Sequence, residues 1–110
     1  MGYVIEGRER ETDQEGFLLD AEYSDEAVQV IAAAEGITLS DAHWAVIRYM
    51  REQYRERGQT PNFRNMLKGI AESVHPGADS KYLYDLFPAG PARQAAKIAG
   101  LPKPFGKGGY

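Results

Sequence analysis

The chain has 110 residues, a formal net charge of −3 and no cysteine. This length predicts one compact domain, and a hydrophobic content of 43% is too high for a disordered chain. No apolar run approaches the roughly 18 residues needed to span a bilayer, and the first residues lack the features of a secretory signal. We therefore expect a cytoplasmic protein without membrane insertion. Without cysteine, these residues can form neither a disulfide nor a thiolate nucleophile.

Charge is distributed unevenly along the chain. Residues 1–26 hold nine acidic and two basic side chains, whereas residues 43–69 hold six basic and two acidic ones. The last 23 residues hold four basic side chains and no acidic one. A pI near 5.4 argues against a dedicated nucleic-acid-binding protein, although a basic face remains compatible with this pattern.

The N-terminal segment has the pattern of a β-hairpin. Residues 3–12 combine β-prone side chains with a predicted turn at Glu6-Gly7. A further short extended piece is predicted at residues 17–19. An isolated hairpin is marginally stable in water, so we expect it to pack against helices.

Three longer helices are predicted after residue 23. Ser24 is a suitable N-cap for the first helix, which Gly36 ends. The second helix begins at Thr38 or Ser40 and ends at Gly58. Thr60-Pro61 predicts the third start, with Thr60 as N-cap and Pro61 in the first helical position; this helix ends before His75.

Two shorter helices and an extended arm complete the prediction. The helices span Lys81–Phe87 and Ala92–Ala99, and Gly100 is placed for a left-handed C-cap. The last ten residues contain two prolines and three glycines, which favours a flexible extended arm. The predicted fold is therefore mainly α, a small helical bundle over residues 1–100 with an N-terminal β-hairpin and a C-terminal arm over 101–110.

The second and third predicted helices resemble a helix-turn-helix unit. Asn62, Arg64, Asn65 and Lys68 lie near the start of the third helix, where such a unit would contact DNA. The alternative is an ordinary pair of packed helices whose charged side chains form a solvated face.

Residue types that carry enzymatic chemistry are scarce. His43 and His75 have no acidic partners at the spacing of metal ligands, and we interpret His43 as structural. No nucleophile elbow, phosphate-binding loop or dinucleotide motif is present. We therefore predict no catalytic residue, no metal, no cofactor and no enzyme activity.

The arm carries side chains suited to a partner. Leu101, Phe105 and Tyr110 are apolar, and Pro102 and Pro104 stiffen the segment and lower the entropy lost on docking. We predict docking into a partner's groove, with the alternative that the arm folds back onto its own domain.

One stretch of the chain resembles a known family. Leu86-Phe-Pro-Ala-Gly-Pro91 followed by Ala99-Gly-Leu-Pro-Lys-Pro104 is similar to the signature of the DsrC/TusE family. Its members are the gamma subunit of dissimilatory sulfite reductase and the related tRNA 2-thiouridine sulfur-relay protein. The likeness extends over nearly the whole chain, through Leu39-Ser-Asp-Ala-His-Trp44 and Arg51, and implies that family's small helical fold.

The resemblance also indicates where sulfur chemistry would lie. Family members that carry sulfur have a cysteine near the end of the arm, and the dissimilatory members have a second one eleven residues earlier. Counted on this chain, these positions are Lys107 and Ala96. Alanine at the earlier position is also expected in the tRNA-thiolation type, but an ammonium at Lys107 cannot hold a persulfide.

We therefore expect a cysteine-free, regulatory sulfur-related member of the family. We expect the absence of cysteine to be natural and not engineered, because Gly108, Gly109 and Tyr110 follow Lys107 and make the tail two residues longer than the usual ending. It would dock through Leu101, Pro102, Lys103, Pro104 and Lys107 onto sulfur-metabolism proteins. The resemblance implies sulfite reductase, a heterodisulfide-reductase-like complex or small sulfurtransferases as partners. The alternatives are a DNA-binding regulator of sulfur genes acting through the 40–75 helix pair, and a TusE-like sulfur-relay protein without its acceptor cysteine.

Overall fold

The computed structural model describes residues 2–103, which form a two-stranded antiparallel sheet followed by five helices. In chain order the elements are β1 (Gly2–Ile5), β2 (Arg8–Glu11), α1 (Asp25–Ala34), α2 (Asp41–Arg57), α3 (Phe63–Ser73), α4 (Ser80–Leu86) and α5 (Pro91–Ile98). This order of elements confirms the predicted fold class, mainly α with an N-terminal hairpin. Among residues 2–103, none of the helices has the length and hydrophobicity that a membrane crossing requires.

The hairpin turns at the predicted dipeptide. Glu6 and Gly7 have φ angles of 53° and 77°, the pair of positive values that a tight two-residue hairpin turn needs. The extended piece that follows makes a single bridge between Thr12 and Leu18. The hairpin packs on α1 through β1, and Ile5 is fully buried there.

Side-chain caps fix the starts of α1 and α2. Ser24 Oγ accepts a hydrogen bond from Ala27 N at 3.2 Å, as the sequence predicted. At α2 the N-cap is Ser40, one of the two predicted residues, and it forms a reciprocal capping box with His43. The structural interpretation of His43 holds, since its Nε2 also lies 2.9 Å from Leu86 O on α4.

The predicted start of α3 was wrong by two residues. Asn62 is the N-cap, because its Oδ1 accepts a hydrogen bond from Asn65 N at 2.9 Å. Thr60 is buried with 8% of its surface exposed, and its Oγ1 makes no hydrogen bond in the described part of the chain, so its hydroxyl does not cap the helix. Pro61 lies in the connection before α3. Asparagine and threonine both make acceptable caps, so the choice between them was decided by where each side chain packs.

The last helix, α5, is at the centre of the fold. It contacts each of the other four helices. Its buried face consists mainly of small side chains, Ala92, Ala95 and Ala96, with Ile98. Small side chains let neighbouring helices approach closely, so a helix of only eight residues can contact four others.

The predicted arm is only partly described by the structure. Residues 101–103 have no regular secondary structure, and Leu101 is fully buried in the core. Residues 104–110 lie outside the described part of the chain. The division between a domain at 1–100 and a flexible arm at 101–110 stays a prediction.

Two glycines allow a test of how the end of α5 is packed. Gly100 and Gly36 both have left-handed φ angles, 80° and 72°, but a Cβ on Gly100 would lie 2.2 Å from Glu22 O, whereas one on Gly36 would meet nothing within 4 Å. We expect Gly36→Ala to cost about 1 kcal/mol of unfolding free energy through backbone strain alone. Gly100→Ala should cost at least about 2 kcal/mol, because the overlap adds to the strain. Urea unfolding measures both, and equal losses would contradict the close packing at Gly100.

Candidate functional site

The candidate site is the arm root, defined as residues 99–103, where the chain leaves α5. Gly100 N donates to Lys97 O at 3.1 Å and Leu101 N donates to Ala96 O at 3.0 Å. With Gly100 in the left-handed conformation, these two bonds form a Schellman motif. The prediction of a left-handed cap at Gly100 is confirmed. The motif turns the chain back toward the core, which directs Leu101 inward.

A second contact fixes the arm root to the N-terminal half of the chain. Glu22 N donates a hydrogen bond of 2.8 Å to Gly100 O. Because Glu22 comes just before α1, this bond joins the end of the last helix to the start of the first. The arm root is therefore held from both of its sides, by α5 and by the segment before α1.

Arg51 on α2 hydrogen-bonds to both the arm root and the start of α1. Its Nε donates to Ala99 O at 3.2 Å and its Nη2 donates to Ser24 O at 2.7 Å. Ala99 O lies at the C-terminal end of α5, where carbonyls lack partners within their own helix, and Ser24 is the N-cap of α1. The guanidinium is buried and also pairs with Asp25 at 3.2 Å, but that carboxylate is 75% exposed, so the two carbonyl bonds dominate.

The sequence singled out Arg51 as part of the resemblance without assigning it a role. An arginine on the mainly apolar inward face of a helix was the available signal, since arginine is rarely buried without partners. The two carbonyls that it meets lie 27 and 48 positions away in the chain. Its function as an anchor therefore required the tertiary structure.

Cations on α5 and the arm root face carboxylates of the N-terminal half. Arg93 and Lys103 both pair with Glu15, and Lys97 pairs with Glu35 at 3.4 Å. The Glu15 pairs are partly exposed, so each contributes little to stability. Their effect is to place the exposed Lys103 next to the acidic N-terminal loop of its own chain.

The loop that carries Glu15 is held by its own hydrogen bonds. Asp13 Oδ1 accepts from the backbone N–H groups of Glu15 and Phe17 at 2.9 and 3.0 Å, as aspartate commonly does in turns. Tyr3 Oη donates to Gly16 O at 2.9 Å. Burial is the largest cause that raises the pKa of Tyr3, followed by the charge of Glu35. The phenol therefore stays protonated and keeps donating at neutral pH.

The predicted partner-binding residues that the structure describes lie partly in the core and partly at the surface. Leu101 is fully buried, Pro102 is half-buried and Lys103 is exposed. In this conformation the Leu101 side chain stabilises the domain itself, so it does not face a partner. Pro104 and Lys107 lie outside the described residues, and the docking role of the arm stays a prediction.

Ala96, which the resemblance matched to the earlier family cysteine, is fully buried on α5. Its side chain belongs to the core, and its carbonyl receives the Leu101 N–H. The position lies one turn before the arm root, so it is directly linked to the start of the arm.

The four residues predicted to contact DNA lie together at the start of α3, but they differ in their roles. Asn62 is the N-cap, and its Oδ1 is occupied by Asn65 N. Arg64, Asn65 and Lys68 are exposed. No further observation supports DNA binding. Across residues 2–103, no three His, Asp or Glu side chains converge in a way that could hold a metal ion.

Comparison with known proteins identifies the family. The model for DsrC-like proteins matches residues 4–106, and the chain therefore belongs to the DsrC-like family. This confirms the resemblance that the sequence indicated.

Two curated relatives are named as sulfurtransferases. Sulfurtransferase TusE of Escherichia coli strain K12 is 48% identical over 103 residues, which cover 92% of this chain and 94% of the relative. Sulfurtransferase TusE of Salmonella paratyphi A is 50% identical over 103 residues, with the same coverage. The chain is therefore similar over nearly its whole length to proteins named for sulfur transfer.

Solved structures show the same fold. The oxidized gamma subunit of dissimilatory sulfite reductase (DsrC) from Archaeoglobus fulgidus superposes with a TM-score of 0.82 at 35% identity, covering 94% of this chain and 97% of that one. The solution structure of Allochromatium vinosum DsrC gives a TM-score of 0.85 at 36% identity, covering 93% of each chain.

The anchoring role of Arg51 can be tested with a conservative change. Arg51→Lys keeps the charge, but a single ammonium does not reproduce the fork that reaches both Ala99 O and Ser24 O. We expect a loss of about 2–3 kcal/mol in unfolding free energy, because at least one buried partner is left unsatisfied. Arg48→Lys, an exposed change on the same helix, is the control and should stay within about 0.5 kcal/mol. Urea unfolding that showed equal effects would refute the anchor.

Proposed function

We propose that this chain is a sulfur-relay component that docks onto sulfur-carrying partner proteins through its arm and does not hold the sulfur itself. One observation carries the proposal. The chain is similar over 92% of its length to proteins named sulfurtransferase TusE, yet its 110 residues include no cysteine. It combines the scaffold of a relay protein with side chains that cannot form a persulfide.

The geometry of the arm root supports a docking role. The Schellman motif, the Arg51 hydrogen bonds and the buried Leu101 all fix the direction in which the arm leaves the domain. A segment whose root is already ordered loses less conformational entropy when it binds. Pro102, followed by Pro104 in the sequence, lowers that cost further.

The residues at the two family cysteine positions support the second half of the proposal. Ala96 is buried in the core and has no reactive atom. Lys107 is a lysine in the sequence, and its ammonium does not take part in thiol–disulfide exchange. The partner therefore keeps the sulfur during the encounter.

Two roles in the relay are compatible with docking without transfer. The chain would either assemble sulfur-carrying partners next to each other or act as a regulator. As a regulator it would occupy the surface of a partner to which a thiol-bearing relative otherwise binds. The class of partner is a small sulfurtransferase or a sulfite-reductase-type complex, as the names of the relatives suggest. The two roles have opposite effects on the rate of sulfur transfer between partners, because an assembling protein accelerates the transfer and a competitor slows it.

The decisive experiment measures docking and sulfur uptake on the same sample. A purified, persulfidated small sulfurtransferase is incubated with the full chain. Binding is followed by calorimetry and covalent change by intact-mass spectrometry. We expect a complex without a mass increase on this chain, whereas Lys107→Cys should gain about one sulfur mass because it supplies a thiol.

A matched pair of charge reversals tests the contribution of the arm. Lys103→Glu should weaken binding about tenfold, a difference of about 1.4 kcal/mol, because Lys103 is exposed at the arm root. Lys81→Glu makes the same charge change on α4, where Lys81 pairs with Asp85, and should leave affinity unchanged. Equal weakening by both variants would contradict docking through the arm. A sulfur adduct on the unmodified chain would contradict docking without transfer.

A further inference from the structure

A groove separate from the arm root lies between α2 and α3. It has a volume of about 640 Å³, within the range typical of small-molecule sites. One wall carries Tyr49, Gln53 and Arg57, which follow at four-residue intervals along α2 and therefore share a face. The other wall is α3, from Asn65 to Ser73, together with the connection that precedes it.

Both walls of this groove are polar, although consecutive helices ordinarily bury apolar side chains against each other. Four carboxamide side chains line it, those of Gln53, Gln59, Asn62 and Asn65, and of these Asn62 already uses its Oδ1 to cap α3. A carboxamide both donates and accepts hydrogen bonds, and paired with a nucleobase edge it can do both at once. The lining therefore suits a ligand with several hydrogen-bonding edges.

The shape of the groove depends on a glycine that leaves room for a neighbouring side chain. Gly69 on α3 faces Tyr49, and a Cβ on Gly69 would lie 1.8 Å from Tyr49 Oη. Only glycine leaves room for the phenol at this point. Burial is the largest cause that raises the pKa of Tyr49, so its hydroxyl stays protonated at neutral pH. The hydroxyl has no hydrogen-bond partner among the described residues, which leaves it free to donate to a ligand.

The groove has an excess of positive charge. Arg57 and Lys68 line it and are exposed. Among residues 2–103, the ion pairs involve neither of these two cations. Glu72 is the single carboxylate of the lining. Two unpaired cations beside hydrogen-bonding amides are the arrangement that binds a phosphate ester.

An unsatisfied hydroxyl lies at the same place. Thr60 lines the groove and is only 8% exposed, and its Oγ1 is buried without a hydrogen-bond partner in the described part of the chain. A buried hydroxyl without a partner costs free energy. A ligand that closes against the connection before α3 would supply the missing acceptor.

We propose that the groove between α2 and α3 binds a nucleoside phosphate unit. Arg57 and Lys68 hold the phosphate, and the carboxamides with the Tyr49 hydroxyl hydrogen-bond to the base and sugar. The unit is either a free nucleotide or one nucleotide of an RNA strand, since both present the same chemistry. No residue of the arm root lines this groove, so the proposal does not rest on the proposed relay function.

The test is a titration of the full-length chain followed by NMR chemical shifts and calorimetry. The ligands are AMP, adenosine, inorganic phosphate and a short oligoadenylate. We expect saturable binding of AMP, with shifts concentrated on the groove residues and much weaker binding of adenosine and of phosphate. Tighter binding of the oligoadenylate through the same residues assigns the unit to a strand, and tighter binding of AMP assigns it to a free nucleotide.

Matched variants make the assignment specific. Arg57→Gln should weaken AMP binding about tenfold or more, whereas Arg48→Gln, the same charge change on α2 outside the groove, should leave it unchanged. Tyr49→Phe removes only the hydroxyl and should weaken binding while the chain still unfolds cooperatively. Equal effects of the two arginine changes, or phosphate binding as tightly as AMP, would reduce the site to an adventitious anion only. Absence of shifts with millimolar AMP would also overturn the proposal.

Measuring partner binding and AMP binding on the same variants tests this inference and the proposed function independently. Arg57→Gln should bind a persulfidated sulfurtransferase as the unmodified chain does, and Lys103→Glu should bind AMP as the unmodified chain does. If partner docking is not observed, the proposal for the groove is unaffected. If AMP binding is not observed, the proposal for the arm is unaffected. Loss of both ligands through either single change would overturn the assignment of two separate sites.

Discussion

The structure depends on one buried guanidinium. Arg51 reaches the carbonyl of Ala99 at the end of α5 and that of Ser24 at the start of α1, so one side chain joins three helices. Burying a charged group is costly unless its hydrogen bonds are satisfied, and here two backbone carbonyls and the Asp25 carboxylate accept from the guanidinium. The orientation of the arm root follows from this anchor together with the Schellman turn at Gly100.

The same arrangement explains how a relay scaffold can persist without a thiol. The contacts that orient the arm come from backbone groups, Arg51 and the buried Leu101. Ala96 takes part only through its backbone carbonyl, which receives the Leu101 N–H. The described contacts of the arm root therefore do not require a reactive side chain at position 96.

Local chemistry explains why most of the fold was predictable and why particular parts were not. Ser24, Ser40 and Gly58 cap helices as their residue types predict, because caps depend on contacts within three or four positions. At α3 two residues of similar capping ability compete, and burial of Thr60 decided in favour of Asn62. Of the candidate site, the sequence predicted the left-handed cap at Gly100. It did not reveal the Arg51 anchor or the ion pairs of Glu15, whose partners are distant in the chain.

The sequence by itself determined the helical class, the N-terminal hairpin, the family and the absence of a cysteine, since each of these follows from residue types and short-range patterns. The tertiary structure decided that Leu101 is part of the core and that Arg51 holds the arm root. It also decided that polar side chains of α2 and α3 enclose a groove. These features depend on where distant segments meet, and residue periodicity shows which face of a helix is buried without showing which segment covers it.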